Sequence, residues 1–292
     1  MRARLIPVGI AFALLLVCVT VVASCGQQHA TPAPSPKLRS HDWAAVACGS
    51  DHTVALRKDG TLWAWGGNDA GQLGLGDTKE RHTPIRVGGA SDWTTVACGY
   101  QYSLGVKNDG SLWAWGYNDA GELGLGDTDD RHTPTRVGRV SDWVGVACDF
   151  TVTLGLRKDG SLWAWGGNGF GQLGLGDTRD RLTPTRVGSA SDWAGVACGY
   201  DFALAVKKDG SLWAWGHNYV GQLGLGDTTT RLTPSRVGTA NDWASVSCGD
   251  GDTLAAKTNG TLWAWGFNGN GELGLGDTKE RLTPTEVGSG SR

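Results

Sequence analysis

An all-β fold, a β-propeller of five near-identical 50-residue repeats, is predicted by three observations on this 292-residue chain. Gly60, Gly110, Gly160, Gly210 and Gly260 recur at a spacing of 50 without an insertion, as do Trp65, Trp115, Trp165, Trp215 and Trp265. A fixed period of that length is the mark of a solenoid or a propeller. Each period holds short apolar runs of strand length between turn-formers, in a chain with 47 Gly and 15 Trp. Asp59-Gly60 separates two of those runs and is a strong hairpin signal.

In chain order, residues 1–24 read as a lipoprotein signal peptide. Arg2 and Arg4 form a basic end, Leu5 to Val22 is uncharged and largely apolar, and Val22-Ala23-Ser24-Cys25 closes the run with small residues and a thiol. That ending resembles a bacterial lipobox. The resemblance implies cleavage before Cys25, diacylglycerol on its sulfur and acylation of the new amino group. Two or more chains, at about 0.8 kcal/mol per buried methylene, anchor a protein stably. The same residues also fit an ordinary signal peptide cleaved nearby, or an uncleaved anchor helix. Residues 25–40 follow as a Pro/Ala/Ser-rich tether, in which Thr31-Pro32-Ala33-Pro34-Ser35-Pro36 extends by roughly 3 Å per residue. The expected location is the extracytoplasmic side of a bacterial membrane, with the protein lipid-anchored there.

Residues 41–290 are the repeat domain. In the first repeat Trp43–Cys48, Thr53–Arg57 and Thr61–Gly66 have strand length, and Thr83–Val87 is a weaker fourth strand that Pro84 confines to an edge or a strand start. Asp59-Gly60 makes the second and third strands antiparallel neighbours. Strand alternation puts Trp63 and Trp65 on one side of the third strand and Leu62 and Ala64 on the other, so both faces are apolar, as stacked blades require. A buried side chain of this size contributes on the order of 1.5 to 3 kcal/mol, which makes the tryptophans the main core of each blade.

Gly-Asn-Asp-Ala-Gly-Gln-Leu-Gly-Leu-Gly-Asp-Thr at positions 67–78, after Trp65-Gly66 and before Thr83-Pro84, resembles the regulator-of-chromosome-condensation repeat. With the N-terminal segment, the chain is identified as a bacterial lipoprotein member of that family. The resemblance implies a β-propeller, of seven blades in the best-known members. Five repeats leave a five-bladed ring, an open arc or an oligomeric assembly to be distinguished. The family's eukaryotic namesake promotes nucleotide exchange on a small GTPase and binds chromatin, roles that do not suit an acidic exported chain. A secreted bacterial β-lactamase-inhibitor protein with similar repeats, acting through one propeller face, is the closer analogy.

Net charge is −3, and without Arg2 and Arg4 it becomes 24 basic against 29 acidic residues, or −5, which disfavours nucleic acid. Cys48, Cys98, Cys148, Cys198 and Cys248 recur once per repeat. Packed sheets lie about 10 Å apart whereas a disulfide needs Cα atoms within about 7 Å, so they read as buried thiols, with a metal-binding ring as the alternative. No cofactor or metal is expected. The histidines lack a partner pattern that marks a nucleophile and base, and Asp77 with Arg81 recurs in every repeat, which makes the pair a loop clamp. The glycine-rich loop has no following Lys-Ser/Thr for phosphate, and Asn68-Asp69 lacks the alternating ligands of a calcium loop.

Function is sought instead where the repeats differ. The differences collect after the first strand and after the Trp-Ala-Trp-Gly strand, two loops at the same end of a blade. The candidate partner-binding residues there are His52, Tyr100, Tyr102, Tyr117, Phe150, Phe170, Tyr200, Phe202, His217, Tyr219 and Phe267. Variable loops on a rigid scaffold carry recognition, and aromatic side chains anchor interfaces. The expected function is a membrane-anchored extracytoplasmic scaffold, not an enzyme, that binds a protein or peptide. An extracytoplasmic enzyme with its site at the propeller mouth, built from Asp201, His217, Asp250 and Asp252, is the alternative.

Overall fold

The computed structural model describes residues 42–288. The signal, Cys25 and the tether therefore lie outside the described residues. Each repeat folds as one four-stranded antiparallel sheet whose strands neighbour one another in chain order. Blade 1 comprises β1 (Trp43–Cys48), β2 (His52–Arg57), β3 (Leu62–Gly66) and β4 (Arg81–Arg86), and blade 2 comprises β5 (Trp93–Cys98), β6 (Tyr102–Lys107), β7 (Leu112–Gly116) and β8 (Arg131–Arg136). Blade 3 runs from β9 (Trp143–Cys148) through β10 (Val152–Arg157) and β11 (Leu162–Gly166) to β12 (Arg181–Arg186). Blade 4 has β13 (Trp193–Gly199), β14 (Phe202–Lys207), β15 (Leu212–Gly216) and β16 (Arg231–Arg236), and blade 5 has β17 (Trp243–Cys248), β18 (Asp252–Lys257), β19 (Leu262–Gly266) and β20 (Arg281–Glu286).

The β2–β3 turn is a three-residue loop in which Gly60 alone takes positive φ, at 76°. Arg57 and Thr61 pair across it, and Asp59 closes it by accepting hydrogen bonds from the Thr61 amide and hydroxyl at 3.0 and 2.6 Å. Asp59 thus acts through its side chain, not through a left-handed backbone. Pro84 sits on the outer strand β4, where its missing N–H costs no ladder bond.

The long loop after β3 is organised by Asn68, which is fully buried. Its Oδ1 accepts the Leu73 amide at 2.9 Å, and its Nδ2 donates to the carbonyls of Asp77 and Lys79 at 2.8 and 3.0 Å. Asp77 and Arg81 form the expected clamp at 2.7 Å, repeated in all five blades.

Blades join by setting unlike faces together. Leu62, Ala64 and Leu73 of blade 1 pack on Trp93, Cys98 and Trp115 of blade 2, and the same combination recurs at the next three joints. Several hydrogen bonds dress the first joint, three of them on the long loop after β3. The Trp115 indole and the Ser103 hydroxyl both donate to the Gln72 carbonyl at 2.9 Å, and the Gly76 amide donates to the His132 carbonyl at 2.8 Å.

The five thiols follow from this scheme. Cys98, Cys148, Cys198 and Cys248 face the preceding blade and are buried. Burial pushes Cys98 up to about 12. Cys48 is exposed, contrary to expectation, because no blade among the described residues precedes and covers it.

Candidate partner-binding face

The loop after the first strand and the loop after the third strand emerge together, as their order along an up-and-down blade dictates. The Gly67 amide bonds to the Asp51 carbonyl at 2.8 Å, and its counterparts do the same in the other blades. On this face the aromatic residues line up across blades. Tyr100, Phe150 and Tyr200, one from each of three consecutive first loops, have ring centroids 5.3 and 4.6 Å apart. Phe170 stacks on His217 at 4.3 Å, and His217 stacks on Tyr219 at 4.6 Å. Phe267 continues this second run, since its Cβ and the Tyr219 hydroxyl both lie within 4 Å of where a side chain at Gly251 would begin.

Tyr100, Phe170, Tyr200, Tyr219 and Phe267 are exposed, Tyr219 most of all at 61%. Tyr117, Phe150 and His217 are half-buried. The Tyr117 hydroxyl donates to Asp119 at 2.7 Å, an interaction that heads the causes raising it to about 12. The phenol is therefore protonated at neutral pH.

Three of the expected binding residues are not on this surface. His52, Tyr102 and Phe202 are buried. Each opens the second strand of its blade and points with Val54- and Leu56-type residues into the joint with the next blade. His52 Nε2 lies 2.9 Å from Ser103 Oγ, and the Tyr102 hydroxyl lies 2.9 and 2.7 Å from the carbonyls of Asp149 and Val152. They are joint plugs and not contacts for a partner. Strand parity carried the signal: position 52 is two residues before 54 and four before 56, which places all three on one face.

Beside the first-loop aromatics stand acidic groups. Burial, then the charges of Asp250 and Asp201, push Asp149 up to about 7. Asp201 is the one described non-glycine residue with positive φ, at 62°, and its Oδ1 accepts the Gln172 amide at 2.8 Å. Burial raises Asp201, with the His217 charge opposing, and burial lowers His217. Among the described residues no group of three or more His, Cys, Asp or Glu side chains converges to hold a metal ion.

The description RCC1-like domain matches residues 23–292, nearly the whole chain. The chain belongs to the RCC1-like domain family. Over 57 residues it is 39% identical to the ultraviolet-B receptor UVR8 of Arabidopsis thaliana, a match that takes in 20% of this chain and 13% of the receptor. The structure superposes on the solved complex of Kap60 bound to yeast RCC1 (Prp20) with a TM-score of 0.75 at 25% identity, covering 85% of this chain and 64% of that one. Human WBSCR16 gives a TM-score of 0.76 at 24% identity over 84% of this chain and 67% of its own, which speaks for the fold alone. The chain thus spans less than two thirds of the yeast protein and about an eighth of the plant receptor.

Proposed function

We propose that this RCC1-like chain is a membrane-anchored extracytoplasmic scaffold that captures a protein or peptide through the loop face. The observation that carries the reading is the pair of aromatic runs, Tyr100–Phe150–Tyr200 and Phe170–His217–Tyr219, built from residues that differ between otherwise near-identical repeats. Exposed rings held by their neighbours lose little freedom on binding, which suits them as anchors. The adjoining exposed carboxylate of Asp250 favours a partner segment that presents apolar and basic side chains together. A solved complex of a similar protein, yeast RCC1 with Kap60, is consistent with a protein ligand.

Catalysis at the mouth finds less support. His217 is occupied as the middle ring of a stack, not directed at a nucleophile. Anchoring through Cys25 rests on the lipobox resemblance. The test is a cross-linking capture from the native envelope with the wild-type chain and a Tyr100/Phe170/Tyr200/Tyr219→Ala variant. The variant loses the captured species and keeps its thermal unfolding midpoint within a few degrees, because all four side chains are exposed. An unchanged capture profile would refute the face.

A further inference from the structure

Inside the arc every Leu face is covered by a Trp face, but the two ends of the arc carry one of each with nothing described on top. At blade 1 the uncovered face is an apolar hollow lined by Trp43, Ala44, Ala45, Val46, Ala55 and Trp65. Val46 is 56% exposed where Val146 and Val196 are 2% and 4% exposed. At blade 5 the uncovered face carries Leu262, which is 40% exposed where Leu62, Leu112, Leu162 and Leu212 are all at 0%.

The polar groups of the joint are spare in the same complementary way. Trp115, Trp165, Trp215 and Trp265 each donate their indole N–H to a carbonyl of the preceding blade, at 2.9 Å. Trp65 has no such acceptor among the described residues, and the matching carbonyl, that of Glu272, has no indole. Gly76, Gly126, Gly176 and Gly226 donate to a carbonyl on the outer strand of the next blade, each at 2.8 Å. Among the described residues Gly276 lacks that acceptor, and the equivalent His82 carbonyl lacks that donor. Asp252 stands where His52 and Tyr102 stand, turned toward the place a further blade's Thr53-type hydroxyl would take.

We infer that the Leu262 face of one molecule docks on the Trp43–Val46–Trp65 face of a second copy of this chain, reproducing the joint already made four times inside the arc. Within one molecule both faces are uncovered among the described residues, whereas between molecules each supplies what the other lacks. The contact is heterologous, so it closes into a ring of copies if the rotation per molecule allows and otherwise extends head to tail.

The test uses the full chain in mild detergent, with mass from light scattering corrected for bound detergent, and two variants at exposed positions, Val46→Arg and Leu262→Arg. The wild type is expected to exceed the monomer mass at tens of micromolar, and each variant alone to be monomeric with the thermal unfolding midpoint of the dilute, monomeric wild type. An equimolar mixture of the two is expected to give twice the monomer mass and no more, since only one compatible pair of faces remains. A wild type that stays monomeric at every concentration, a variant that leaves the assembly intact, or a mixture that stays monomeric overturns the inference. So does a monomer whose Cys48 resists thiol labelling, which would assign the blade 1 face to the residues that precede position 42. The readout is independent of the loop face, so failure here leaves partner capture untouched and the reverse also holds.

Discussion

Replacing Glu122 by Gln is expected to stabilise the protein in a pH-dependent way. Glu122 sits fully buried at the joint of blades 2 and 3, at a position that is Gln72, Gln172 and Gln222 in three other repeats. Its Oε2 accepts the Ala120 amide at 2.9 Å, but Oε1 is buried with no hydrogen-bond partner. Burial is the main cause that pushes its carboxyl up to about 7 from an ordinary 4.5. Below about pH 4.5 the group is protonated in both folded and unfolded chains and costs nothing extra. Between about 4.5 and 7 the unfolded chain ionises first, so stability falls as pH rises. Above about 7 the cost is complete, on the order of 3 kcal/mol. A glutamine avoids that charge, although its amide needs a partner: Gln172 finds Asp201 at 2.8 Å, while Gln222 Nε2 is buried without one. An unpaired amide would offset about 1 kcal/mol of the gain. Urea unfolding followed by Trp fluorescence should therefore show the variant about 2 kcal/mol more stable near pH 8.5 and no more stable than wild type near pH 4. A difference that does not change between the two pH values would refute the account of the buried carboxyl.

Tyr102→Phe removes a buried hydroxyl from the carbonyls of Asp149 and Val152 and should cost about 1 to 2 kcal/mol in the same assay, with partner capture unaltered. Asn168→Ala strips three backbone groups of their buried partner, the Leu173 amide and the carbonyls of Asp177 and Arg179, at an expected cost of about 2 to 4 kcal/mol. Arg181→Ala, which breaks the surface clamp to Asp177, should stay within about 1 kcal/mol, and equal losses in the two variants would overturn that ranking. Cys25→Ala should move the protein from the membrane fraction to the soluble extracytoplasmic fraction and abolish incorporation of labelled fatty acid.

Blade architecture was legible because it depends on local chemistry repeated five times. Hairpin glycines, alternating Trp and Leu, and an edge proline each dictate one feature wherever they occur, and the strands fall within two residues of the expected ends. Asn68 was not legible as the organiser of its loop. An asparagine between glycines looks like any turn residue until Leu73, Asp77 and Lys79 are seen to converge on it. The loop face was legible in part: Tyr100, Phe170, Tyr200, Tyr219 and Phe267 are exposed, but their stacking depends on distances between blades that no single repeat encodes. His52, Tyr102 and Phe202 were drawn into the surface set because they vary, and variation marks two physically different places.

The second of those places explains how near-identical blades keep their order. A joint made only of shared Leu and Trp faces would let any blade dock on any other, inviting swapped or slipped pairings between copies. The plug position breaks that degeneracy. His52 meets Ser103 in the first joint, Tyr102 meets Thr153 at 3.1 Å in the second, Val152 fills the third, and Phe202 fills the fourth. The four plugs make three kinds of demand: a hydroxyl for the imidazole, paired carbonyls for the phenol and an apolar seat for both Val152 and Phe202. Exchanging His52 and Tyr102 would leave a phenol facing the first joint and an imidazole beneath the Asp149 and Val152 carbonyls. Both joints would then hold polar atoms out of register, although composition and total volume are unchanged. Repetition therefore supplies the shared apolar contact of the joints, and the plug residues help to tell one joint from another.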